Sequence, residues 1–394
     1  MGESMEAILF SPLNLRGITL RNRIVVSPML QYSATGGHVN DWHLMHYGKF
    51  AAGGAGLVFV ESTKVDPRGC STPRDLGLWK DDYIEPLRRI TDLIKRNGAL
   101  AAIQLGHSGR KARRSVPWEG RVPLAQCPGV DHGEDWELIA PSPVPHSEKY
   151  AVPREMTHTD IRELVEAWGQ AARRADEAGF DIVEVHGAHG YQIHQFLSAD
   201  ANRRTDEYGG SLENRMRFAV EVIREVRKFW PDDKPLFFRT SSVDETGWSI
   251  EDSIALAKVL KANGADVFDC SAGGMSDAVA SEITPHYGYQ VDYARRIRAG
   301  ADIQTMAVGM IVHADQAEEI LRTGSADLVA LGREYLHNPN WAIDAAQKLG
   351  IPAPFAHASP VYGYWLDKRA RNKLGIRSST WQRGIHADAG DKNG

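Results

Sequence analysis

Eight short apolar runs, each followed by a stretch of helical period, do most to narrow what this 394-residue chain can fold into. The runs cover residues 24–26, 57–60, 100–105, 182–185, 236–240, 267–269, 303–308 and 328–331. They are continuous rather than alternating, so each strand is expected to be buried on both faces, as in a parallel sheet covered by helices. Between them, residues 41–52, 84–96, 159–178, 212–229, 249–263, 292–298, 315–323 and 341–349 read as helices. Thr159 is the expected N-cap of its helix, and Ser249 with Asp252 has capping-box spacing. This alternation predicts an α/β fold, a (β/α)8 barrel. An open doubly wound sheet fits less well, because no GxGxxG follows the first strand.

Three segments stand outside the repeat. Residues 13–20 read as a hairpin covering one end of the barrel. Residues 106–156 are rich in Pro, Gly, Arg and Trp and show no period, so a long functional insertion is expected after the third strand. Two units follow: a barrel domain over 1–354 and a C-terminal extension over 355–394. The polar end HADAGDKNG is expected to be disordered.

Composition removes several function classes. The formal net charge is −5 and no long basic run exists, which argues against nucleic-acid binding. The cluster from Arg110 to Arg114 reads as a solvated loop. Cys70, Cys127 and Cys270 form no CxxC, so neither a zinc ribbon nor an iron–sulfur cluster is written here. Scattered cysteines in odd number suit a reducing cytoplasm, and the N-terminus lacks the pattern of a signal peptide. No run has the apolar length needed to cross a bilayer.

In a (β/α)8 barrel the active site lies at the carboxyl ends of the strands. The fourth run ends in HGAHGY, which sets His186, His189 and Tyr191 just past a strand on a backbone loosened by glycine. Two imidazole donors and a phenol suit chemistry that makes an enolate-like oxyanion and then protonates the adjacent carbon. An HxxH metal pair is the competing reading. Gly309 and Gly332-Arg333 follow strands seven and eight, the usual phosphate position in this fold. Gln104 and Arg239 end buried strands while remaining polar, so each needs a partner. A phosphate site, an amide and a fixed cation around one mouth suit a phosphorylated heteroaromatic cofactor, and FMN fits. An aldolase would need a strand-end lysine, and none of the eight predicted strand ends supplies one.

The runs RNRIVVSPM, HGAHGY, FLSADANRRTDEYGGSLENRMRF, AVGMI and LGRE resemble the Old Yellow Enzyme family, whose members are FMN-dependent ene-reductases on a (β/α)8 barrel. The likeness runs from about Leu13 to about Pro354. His186 and His189 together, with PMLQYS near the start, resemble the bacterial thermophilic-like subgroup. The resemblance implies that Ser27, Pro28, Met29, Ser62, Gln104, Arg239, Gly309, Gly332 and Arg333 contact FMN. It implies that His186 and His189 bind the substrate carbonyl, that Tyr191 donates the proton and that Tyr32 touches substrate. NADPH or NADH reduces the flavin, which then reduces an activated alkene. It also implies a homodimer or homotetramer, in which a tail such as SPVYGYWLDKRARNK carries an arginine, with Arg369 as candidate, to the neighbouring subunit's site. A departure is Leu30, where many relatives in the subgroup have cysteine beside the flavin. A drier pocket and an altered flavin potential are expected from it. Relatives with an iron–sulfur cluster are disfavoured, because no cysteine cluster follows the barrel.

Overall fold

The computed structural model describes residues 7–126, 136–277 and 283–371. The chain opens with an antiparallel hairpin of β1 (Leu13–Leu15) and β2 (Ile18–Leu20). Strands β3 (Ile24–Val26), β4 (Leu57–Lys64) and β5 (Leu100–Gly106) begin the barrel. The insertion after β5 contributes β6 (Ile139–Ala140) and β7 (Arg154–Glu155), which pair only with each other. The barrel continues through β8 (Ile182–Gly187), β9 (Leu236–Ser241), β10 (Val267–Ser271), β11 (Gln304–Val308) and β12 (Leu328–Leu331). All neighbours are parallel, and β12 pairs back onto β3 to close the ring. The predicted (β/α)8 barrel is therefore the observed fold.

The helices are α1 (Asp41–Ala52), α2 (Ile84–Arg96), α3 (His158–Glu177), α4 (Gln192–Leu197), α5 (Leu212–Phe229), α6 (Ile250–Ala262), α7 (Val291–Ala301), α8 (Ala314–Arg322), α9 (Arg333–His337), α10 (Trp341–Lys348) and α11 (Pro360–Arg371). The Ser249–Asp252 capping box is present on α6. The expected cap of α3 is corrected by two residues. Thr157, not Thr159, accepts from the Asp160 N–H, and the Asp160 carboxylate accepts in turn from Thr157. Two reciprocal bonds outcompete a lone hydroxyl further along the same turn.

Side-chain alternation explains how the barrel carries a site. Along each strand every second residue points inward. The lower inward positions are apolar, among them Val25, Phe59, Ile182, Phe237, Val267 and Met306. Leu13, Leu15 and Leu20 of the hairpin pack into the same cluster, so β1–β2 plugs the amino-terminal end as expected. The upper inward positions in the same parity are polar: Gln104, Glu184, His186, Arg239 and Asp269. The carboxyl end of the barrel is thus the end built for chemistry.

The insertion is less loop-like than its composition suggests. It forms short 3-10 turns at Gly109–Lys111, Pro117–Glu119 and Leu124–Gln126. The expectation of a solvated Arg110–Arg114 loop is overturned for its two clamp residues. Arg110 is 2 % exposed and donates to the carbonyls of Val144, Pro145 and Met275. Arg114 stacks on Tyr150 at 3.9 Å and donates to the Lys149 carbonyl. Guanidinium groups here satisfy the backbone of an aperiodic segment that has no ladder of its own. Cys127 and the tail end HADAGDKNG lie outside the described residues. Among the described residues no helix is long and apolar enough to cross a membrane.

Candidate active site

Most of the residues singled out from the sequence converge on one cavity of about 500 Å³ at the carboxyl ends of the strands. Ser27, Pro28, Met29, His189, Arg239, Gly309, Gly332 and Arg333 all line it. At its outer end, Gly309 holds a left-handed φ of 116°, and a Cβ there would lie 2.7 Å from Gln290 Nε2. Gly332 is the N-cap of α9, which begins at Arg333. The Arg333 guanidinium has no hydrogen-bond or ion-pair partner among the described residues. A free cation beside two bare backbone turns fits a phosphate.

The inner end is electrostatically organised. Arg239 has Nε 3.2 Å from Asp269 Oδ2 and a terminal nitrogen that donates to Ser27 Oγ at 3.2 Å. Glu184 accepts from Gln104 Nε2 at 2.8 Å. Burial raises both carboxyls above the usual carboxylate range. The effect is stronger for Glu184, where the neighbouring Asp269 adds to burial. A guanidinium and two carboxyls that burial disfavours as anions therefore lie at this end of the site. Gln104 and Ser62 do not line the cavity itself. Both are buried at adjoining strand ends, Ser62 within the register shift between Val60 and Thr63.

The HGAHGY block forms the other wall. His186 lies in register with Arg239 across β8 and β9. Its ring centroid is 5.2 Å from that of His189 and 4.9 Å from that of Tyr191. The chain turns here through left-handed residues, His189 at φ 57° and Gly190 at φ 70°. A Cβ on Gly190 would lie 2.2 Å from the Gly274 carbonyl, so only glycine lets the two loops approach. The His189 N–H donates to Ser241 Oγ, which donates to the Gly273 carbonyl, and this fixes the turn.

Burial holds both imidazoles well below their ordinary pKa, so they are neutral at pH 7. Burial likewise holds the Tyr191 phenol above the ordinary range, so it stays protonated. No hydrogen bond occupies its hydroxyl among the described residues. Tyr32, at φ 51°, lies within electrostatic reach of Tyr191, and burial pushes its own pKa up to about 12. The facing His186 Nε2 and His189 Nδ1 lie 3.4 Å apart, and no third His, Cys, Asp or Glu joins them in a candidate metal group among the described residues. Among the described residues, the group able to hold a metal is instead His158, Asp206 and Glu207, elsewhere on the surface.

Several participants escaped the sequence reading. Strand β4 runs on to Lys64, so the expectation of no strand-end lysine is corrected. Lys64 is fully buried, 3.6 Å from Asp75 and 3.1 Å from Ser62 Oγ, with its ammonium 5.4 Å from the Tyr191 ring centre. Lys111 lies 5.5 Å from the centre of the same ring and donates to the carbonyls of His189 and Gly274. Burial lowers its pKa to about 8. Lys111 stood in view in GRKARR, but its direction depends on an aperiodic insertion. Lys64 was hidden by the polar run Glu61 to Lys64, which reads as a loop.

Comparison with known proteins agrees with this geometry. The model of the NADH:flavin oxidoreductase / NADH oxidase family matches residues 8–351. The NADPH dehydrogenase of a Geobacillus species is 47% identical over 350 residues, covering 88% of this chain and 96% of the relative. That of Bacillus subtilis is 45% identical over 356 residues, covering 89% and 98%. Among solved structures, morphinone reductase superposes with a TM-score of 0.71 at 26% identity, covering 89% of this chain and 91% of that one. A 2-naphthoyl-CoA reductase reaches 0.76 at 26% identity, covering 88% of this chain and 53% of the other. With a barrel mouth whose donors fit FMN, the chain belongs to the NADH:flavin oxidoreductase / NADH oxidase family, the Old Yellow Enzyme family, as an FMN-dependent NAD(P)H oxidoreductase.

Proposed function

We propose that this oxidoreductase is an ene-reductase acting on α,β-unsaturated carbonyls and similar activated alkenes. The observation that carries the reading is the Tyr191 phenol: protonated, its hydroxyl without a hydrogen bond among the described residues, and packed edge-on against the neutral His186. In this reading Arg239, Gln104, Ser62 and Ser27-Pro28-Met29 hold the flavin ring end. Gly309, Gly332 and Arg333 hold its phosphate. When bound, FMN supplies a hydride, taken from NADPH or NADH, to the alkene β-carbon.

The chain's own residues do the rest. His186 and His189 donate to the substrate carbonyl, draw charge toward oxygen and make the β-carbon electrophilic. Preorganised donors of this kind contribute about 3 kcal/mol each to a developing oxyanion. Tyr191 transfers its proton to the α-carbon, and Tyr32 closes the substrate side. Lys64 and Lys111 lie close to the tyrosinate left behind. The tail after residue 354 is read as a subunit-contacting extension of a homodimer or homotetramer, in a cytoplasmic protein. The test is Tyr191→Phe under anaerobic stopped flow. Flavin reduction by NADPH stays within about twofold, while alkene reduction slows by about 10²-fold or more, the scale of a lost general acid. Equal losses in both half-reactions would reject the role.

A further inference from the structure

The ring nitrogens of His186 and His189 belong to a chain of hydrogen bonds whose direction is set at both ends. At one end the Ala188 N–H donates to His186 Nδ1 at 3.2 Å. An amide N–H only donates, so Nδ1 is bare and the neutral ring carries its proton on Nε2. At the other end Gln290 Nε2 donates to the Val308 carbonyl at 3.0 Å. A carbonyl only accepts, so Gln290 presents Oε1 to Ser271 Oγ at 3.4 Å and receives the hydroxyl proton. Ser271 Oγ is 2.7 Å from His189 Nε2 and accepts from it. His189 Nδ1 is then bare and faces His186 Nε2–H at 3.4 Å. Every link runs the same way, from Ala188 to Val308.

This order makes His189 an acceptor toward its neighbour. A carbonyl oxygen between the rings is itself an acceptor and needs two donors. His186 provides one from Nε2. His189 provides the second from Nδ1 only in its other tautomer, which leaves Nε2 bare and in need of a donor. Ser271 is in place to reverse its role, because its hydroxyl rotates from Gln290 to His189. At 3.4 Å its bond to Gln290 is long, so little is lost on leaving it. Ser271 and Gln290 are both buried, at 4 % and 3 % exposure, and both line the cavity that His189 faces.

We propose that Ser271 is a positioning residue that turns His189 from acceptor into donor when a substrate carbonyl enters, with Gln290 as the resting acceptor of its hydroxyl. The proposal rests on the ene-reductase reading above. The proton balance is neutral: one proton leaves Nε2 to water, one from water arrives at Nδ1, and the ring gains no charge.

The test uses the FMN-loaded, oxidised protein with 15N-labelled histidine and long-range proton–nitrogen correlation spectra. His186→Gln and His189→Gln assign the two rings. The probe is 2-cyclohexenone, added without nicotinamide so that no turnover occurs. His189 is expected to carry its proton on Nε2 before the enone and on Nδ1 after it. Ser271→Ala is expected to weaken enone binding about five- to tenfold, the loss of one hydrogen bond. Ser271→Thr, which keeps the hydroxyl, is expected to restore it. If the enone shifts both rings but His189 keeps the Nε2 proton, or if Ser271→Ala binds as tightly as the parent, the switch is wrong while the site reading stands. If the enone perturbs neither ring, the ene-reductase reading fails and takes the switch with it.

Discussion

Replacing Lys64 by methionine tests whether the lysine beneath Tyr191 is held by a buried charge pair. Lys64 and Asp75 are both fully buried and lie 3.6 Å apart. Methionine keeps most of the volume and removes the ammonium, so the main consequence is an uncompensated Asp75 carboxylate. Breaking a buried pair from one side typically costs about 3–5 kcal/mol. Asp75 retains three donors: Ser71 N–H at 2.7 Å, Ser71 Oγ at 2.6 Å and Thr72 Oγ1 at 2.8 Å. Those bonds keep part of the charge solvated and place the loss near the lower limit, about 3 kcal/mol. For a chain of this length that corresponds to a melting temperature lower by roughly 4 °C. Adding Asp75→Asn removes the stranded charge and is expected to return about 1–2 kcal/mol. Thermal and urea unfolding of the parent, the single and the double variant measure both quantities. A loss below about 1 kcal/mol for Lys64→Met, or a double variant no more stable than the single, would refute the reasoning.

Other outcomes follow from the same geometry. Arg333→Met is expected to weaken FMN binding to the apoprotein about 10- to 100-fold, the range for a hydrogen bond to a charged group. Riboflavin, which lacks the phosphate, should bind as before; fluorescence titration with both flavins decides, and an equal effect on both would be contrary. Burial lowers the pKa of His107 and His146 to about 4 and of His46 to about 3. Below about pH 6.5 the unfolded chain takes these protons while the folded chain resists, so stability falls as pH drops toward 4. Each ring contributes about 2 kcal/mol of that loss by pH 5; an unfolding midpoint unchanged between pH 7 and pH 5 would contradict this. Gly190→Ala meets the Gly274 carbonyl at a left-handed φ. It is expected to displace His189 and cost at least about 3 kcal/mol, and a variant with the parent's melting temperature and enone affinity would count against the turn geometry.

The barrel was legible because its strands are buried on both faces and so write unbroken apolar runs. β3 and β12 have the bounds read from the sequence, and α1, α2 and α5 do too. Legibility failed where tertiary structure licenses polar residues inside. β4 continues through Glu61, Ser62 and Thr63 to Lys64 because partners at the mouth satisfy them, which no local pattern reveals. Glu184 sat unnoticed in an apolar run for the same reason, and its chemistry appears only once Asp269 is brought beside it by β10. The HGAHGY block was readable as a site because three reactive side chains cluster in six positions. Ser271 was visible only as a strand end, since its value lies in a 2.7 Å bond to a residue 82 positions away. The insertion resisted because side-chain clamps such as Arg110, rather than a period, define its path.

The central claim is that flavin in this barrel mouth reduces an activated alkene while Tyr191 protonates it. Protein reduced anaerobically with one equivalent of NADPH and mixed with 2-cyclohexenone in D2O tests it in a single turnover. The account predicts that flavin absorbance returns in step with cyclohexanone formation, and that the product carries one solvent deuterium at the α-carbon. Flavin that stays reduced in the presence of the enone, and reoxidises only when oxygen is admitted, would contradict it.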